Sequence, residues 1–140
     1  MLIRPLSLAI FVFLASSGLA TGPHGALAAD SGRTVVVPIV ALNGSGETGT
    51  ATLKAIGNKT VVTLRLANGT GKPQPAHFHT GNCEKYGPRP LYPLKDVING
   101  KSTTTVDQPI DKLINGDLII NVHQSYTNIA TQAACGISKA

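Results

Sequence analysis

The residues best able to do chemistry in this chain lie in three short stretches: "PAHFHTGNC" (75–83), "LIINVHQ" (118–124) and "AACGI" (133–137). His77 and His79 are two residues apart. On a strand, successive side chains point to opposite faces, so both imidazoles would share one face and Phe78 would take the other. Two imidazoles in that register can grip one metal ion. His123 can supply a third if its own strand lies nearby. Imidazole suits copper, zinc, iron and nickel alike, so residue type alone does not choose the metal. A His-x-His pair on a strand is also compatible with two surface histidines and no ligand.

Cys83 and Cys135 are the two cysteines of the chain. An even count in an exported chain favours one disulfide. Two free thiols or two metal ligands are the alternatives. Other chemistries find no support. Ser125 stands near His123, but no strand-turn-helix elbow frames it. The glycines sit in turns without a following helix, which excludes a phosphate loop. Paired carboxylates form no acid–base motif.

The segments that must position these residues read as strands. "TVVVPIVAL" (34–42) is β-branched and apolar, and its Pro38 suggests an edge or a bulge. "NGSGETG" (43–49) is a turn cluster. "TATLKAI" (50–56) and "TVVTLRLA" (60–67) alternate, joined by the short "GNK" connection. "NGTGKPQP" (68–75) is a loop and "AHFHT" (76–80) the next strand. A Pro- and Gly-rich connection is expected from Gly81 to about Pro93. "STTTVDQPI" (102–110), "GDLIINVHQ" (116–124) and "ACGI" (134–137) complete the set, with one helical turn at most in "IDKLIN" (110–115). Short strands with regular turn signals argue for an antiparallel sandwich or barrel. Asn43, Asn58 and Asn68 open Asn-x-Ser/Thr sequons, which read better as turn chemistry than as glycosylation sites.

Residues 1–29 read as a signal peptide, and 30–140 as one domain. Arg4 precedes an apolar run from about Leu6 to Ala15, then small residues lead to "ALAA" before Asp30. The run is short for a bilayer span, which needs about 20 apolar residues. An uncleaved anchor is the alternative. Cleavage is expected after Ala28 or Ala29; a cut after Ala20 would keep His24. The mature chain is expected to be secreted or periplasmic, off the membrane. The formal net charge of +5 comes from 12 basic and 7 acidic residues, and the leader removes only Arg4 among them. The basic residues are scattered and aromatics make up 4%, so a nucleic-acid surface is not expected.

The order of the pieces "GTATLKAI", "PAHFHTGNC", "LIINVH" and "AACGI" resembles the copper/zinc superoxide dismutase family and the related secreted CHRD domains. The resemblance covers nearly all of the mature chain. It implies an all-β, Greek-key, immunoglobulin-like β-sandwich with Cys83 bonded to Cys135. It also implies that His77, His79 and His123 correspond to three copper ligands. The departures matter as much. The family links copper to zinc through a bridging histidine, yet no histidine lies between Cys83 and His123. Asp96, Asp107, Asp111 and Asp117 lie there instead, and carboxylates alone would hold zinc poorly. Copper without zinc is therefore the expected cofactor. The family's guiding arginine, three residues before the closing cysteine, is Gln132 here, unless Arg89 or a lysine substitutes. The resemblance implies an exported copper protein that meets superoxide or copper ions. A non-enzymatic copper binder, or a structural module on the same fold, is the alternative.

Overall fold

A computed structural model describes residues 32–140. The expected leader lies outside them. The elements run β1 (Thr34–Ala41), β2 (Gly49–Ile56), β3 (Lys59–Leu66), β4 (Gln74–Thr80), β5 (Tyr92–Val97), β6 (Lys101–Val106), α1 (Ile110–Leu113), β7 (Asn115–His123) and β8 (Gln132–Lys139). The fold is all-β, with every strand pairing antiparallel. Among the described residues no helix is long and apolar enough to cross a membrane.

Alternation explains how the strands fold inward. In β3, Thr60, Val62, Leu64 and Leu66 are buried while Lys59 and Arg65 are exposed. The matching residues of β2, Ala51, Leu53 and Ala55, are buried opposite them. Val37 and Ile39 of β1, Phe78 of β4 and Ile120 and Val122 of β7 join the same core. Ile110 and Leu113 of the single helical turn are buried in it too.

The strand order is β5-β4-β7-β8-β1-β2-β3-β6. β1 serves two neighbours in turn: Thr34 to Ile39 pair with β2, and Val40 and Ala41 pair with β8. Pro38 sits just before that handover, where a missing N–H disturbs the ladder least. The two end strands, β5 and β6, are consecutive in sequence and are joined by Asn99 and Gly100. Both residues have positive φ, +51° and +72°, as a type I′ hairpin turn requires. Side chains also tie the ends together: Lys95 N–H donates to Thr104 Oγ1 at 2.8 Å, and Ser102 Oγ donates to the Lys95 carbonyl at 2.7 Å. The sheet is therefore nearly closed.

β5 corrects the expectation of a connection reaching to Pro93. The three prolines of "PRPLYP" (88–93) read as loop, yet Pro93 pairs with His77 on an end strand, where proline is tolerated. β6 ends at Val106, short of the expected 110. β8 is longer than expected at both ends. Two of the sequon residues, Asn43 and Asn68, take left-handed turn conformations, φ +50° and +57°.

Candidate metal centre

β4 and β7 are hydrogen-bonded neighbours, with His77 opposite Asn121 and His79 opposite Ile119. Ala76 and Phe78 point into the core, so His77 and His79 point to the outer face. His123 ends β7. There the β7–β8 register shifts, from Val122 opposite Ala134 to His123 opposite Gln132. His123 lies two residues beyond Asn121, the partner of His77, so strand alternation puts it on the same outer face. The three rings then meet on one face, with centroids 5.3 to 5.9 Å apart. One ligand atom from each lies within 4.8 Å of the others. Among the described residues this is the group of three or more such side chains able to hold a metal ion.

β7 is buried on both faces from Leu118 onward. The inner residues meet the core, and loops cover the outer ones. The first of these loops follows β4. Gly81 turns it at φ +107°, and a Cβ there would lie 2.4 Å from the Lys85 carbonyl oxygen. Only glycine combines that φ with so close an approach. Cys83 then bonds Cys135 of β8, Cα to Cα 5.8 Å. Gln132 Nε2 donates to the Cys83 carbonyl at 3.0 Å. Thus pinned, the loop delivers two groups to His79. The Tyr86 ring stands edge-on at 5.0 Å. The Gly87 carbonyl accepts a 2.8 Å hydrogen bond from His79 Nδ1.

That bond sets a tautomer. A carbonyl oxygen only accepts, so Nδ1 carries the proton and Nε2 keeps its lone pair. His79 Nε2 is buried and has no hydrogen-bond partner; neither have His77 Nδ1 and His123 Nδ1. The Ile129 backbone lies near the His123 ring. Each imidazole thus presents one buried, unpaired nitrogen. Buried polar atoms are normally paired, and three orphans at one place are what a metal ion would satisfy. Burial lowers the pKa of His77, helped by the neighbouring His123 and His79 rings, with Asp96 opposing weakly. Burial also lowers that of His123, partly offset by the Ile129 backbone. Both rings are pushed toward the neutral form that ligates metal.

A cleft of about 290 Å³ opens onto the three rings, walled by Tyr86, Pro88, Pro90, Ile129 and Ala130. A three-nitrogen set with one open side leaves a position for water or a small ligand. Gln132 spends its amide on Cys83, and exposed Arg89 does not line the cleft. The aspartates between Cys83 and His123 are dispersed. Asp96 accepts a hydrogen bond from Tyr126, Asp107 pairs with Lys59, and Asp111 pairs with Arg33. Sequence reasoning missed Tyr86, Gly87 and the Ile129 backbone. A backbone carbonyl leaves no residue-type signal, although the glycine in "YGP" hinted at a tight approach. It also missed Gln74, whose Nε2 donates to the His123 carbonyl at 3.3 Å.

No family model, curated protein or solved structure matches the chain.

Proposed function

We propose that this is an exported, zinc-less, superoxide dismutase-like copper protein on a Greek-key β-sandwich, with His77, His79 and His123 as the copper ligands. The observation that carries the reading is the trio of buried, unpaired nitrogens, one per ring, within reach of a single ion. Copper is favoured over zinc by the resemblance. Three imidazoles with an open side would suit copper in either oxidation state. Bound copper supplies one-electron chemistry, by which one superoxide is oxidised to dioxygen and the next, with two protons, is reduced to hydrogen peroxide.

The protein's own part is to hold and to exclude. The Gly87 carbonyl keeps His79 Nε2 free. Pro88, Pro90 and Ile129 narrow the approach to small ligands. A disulfide fits an oxidising compartment such as the periplasm or the cell exterior. Superoxide turnover by the copper-loaded protein, above that of an equal amount of free copper and absent in His123→Ala, is the expected result. One tightly held copper without turnover would instead favour a copper-holding role. That second reading draws on Gln132, which offers no positive charge to steer an anion. Copper binding unchanged in His123→Ala would remove both.

A further inference from the structure

A second polar pocket lies beyond β4, on the other side of Gln74 from the histidines. It is a cleft of about 220 Å³ lined by Ser45, Glu47, Asn68, Thr70, Gln74 and Gln124. Every lining side chain carries oxygen and none is basic. We propose that this cleft binds a hard, oxygen-ligated divalent cation of the calcium class, with Glu47 Oε2 and Gln74 Oε1 as its inner ligands.

Two observations carry this independently of the copper reading. First, Glu47 is 2% exposed and Gln74 0%, and both Glu47 Oε2 and Gln74 Oε1 lack a hydrogen-bond partner. They are acceptors only, so the two cannot pair with each other, and each needs an added cation, proton or water. Second, most donors of the lining are spent elsewhere. Gln74 Nε2 donates to Glu47 Oε1 at 2.9 Å and to the His123 carbonyl. Asn68 Nδ2 donates to the Gly46 carbonyl, Ser45 Oγ to the Ala133 carbonyl and Thr70 Oγ1 to the Lys72 carbonyl. Gln124 is the exception: its Oε1 accepts from Asn128 Nδ2, which leaves its Nε2 as a donor at the edge of the set.

Apart from the Gln124 amide, what remains for the cleft is a set of lone pairs around one carboxylate. Burial raises the Glu47 pKa, a cost that its hydrogen bond from Gln74 offsets only in part. A bound cation would remove that cost. Calcium accepts carboxylate, amide and hydroxyl oxygens in flexible geometry, whereas magnesium demands a tight octahedron and keeps its waters. A single carboxylate puts the site at the weak, extracellular end of the calcium scale, with Kd about 1 mM.

The test is titration of chelator-treated protein with calcium chloride, read by calorimetry and by thermal unfolding at constant ionic strength. Saturable binding of one calcium with a rise in Tm is expected. Glu47→Gln, which keeps the shape and can still pair with Gln74, should lose at least about tenfold in affinity. His77→Ala should keep the calcium response, which separates this site from the copper centre. No response up to 10-fold above that Kd, an equal response in Glu47→Gln, or an equal response to magnesium chloride would each overturn the proposal.

Discussion

His79 Nδ1 donates to the carbonyl oxygen of Gly87, 2.8 Å away and eight residues further along the chain. The bond joins a strand residue to the loop that leaves the same strand, and it frees His79 Nε2 to face the other two rings. Its strength as an orienting device depends on how firmly the loop is held. Two features hold it, the Gly81 turn and the Cys83–Cys135 bond.

Gly81→Ala should therefore disturb the site from outside. The new Cβ would be forced against the Lys85 carbonyl in a conformation that costs a side chain about 1–3 kcal/mol or more. Shifted support for a ligating histidine typically costs 10–100-fold in metal affinity. Copper competition titrations on the variant should show a loss in that range. An unchanged affinity in a folded variant would mean that the Gly87 carbonyl does not depend on the turn.

Cys135→Ser tests the other support. The bond spans a sequence separation of 52, and the chain-entropy model assigns a loop of that length about 4 kcal/mol. Urea unfolding should show a loss of that order, and copper affinity should fall with it. A destabilised protein with full copper affinity would show that the disulfide serves the fold alone.

Single replacements of His77, His79 or His123 by alanine should each abolish tight copper binding, because two imidazoles cannot complete the site. The measurement is metal content after dialysis against a competing chelator. Retention of one copper in any of the three would remove that residue from the ligand set.

Acid should destabilise the metal-free protein. The folded pKa values of His77 and His123 lie below the ordinary 6.5. As pH falls, the unfolded chain therefore takes up protons first. The stability tied to the neutral rings is present above about 6.5, and is lost as the pH falls through the depressed folded values. Thermal unfolding between pH 7.5 and 5 should show Tm falling in the parent. The fall should be smaller in a His77→Gln, His123→Gln double variant. Equal slopes in the two proteins would contradict this account.

Much of the fold is local, and so it is legible in the sequence. β2 and β3 follow from alternation alone, since a one-residue slip would turn every apolar side chain outward. Asn43 and Asn68 mark turns because asparagine tolerates positive φ. β5 was obscured by Pro90 and Pro93, although Asn99-Gly100, the strongest short hairpin signal, pointed to a strand on either side. Proline tells against a strand only where the missing N–H would have a partner, and an end strand has one side free.

The sequence alone determines that His77 and His79 share a face, because the two-residue period of a strand demands it. It also limits the cysteines to a single possible intramolecular bond. Tertiary structure decided the rest. His123 joins the pair because β7 lies beside β4 in the register that sets Asn121, two residues before it, opposite His77. The Gly87 carbonyl and the Gln74 amide act across 8 to 49 residues of chain through hydrogen bonds. Contacts of that kind depend on strand order and loop path, which residue spacing does not encode.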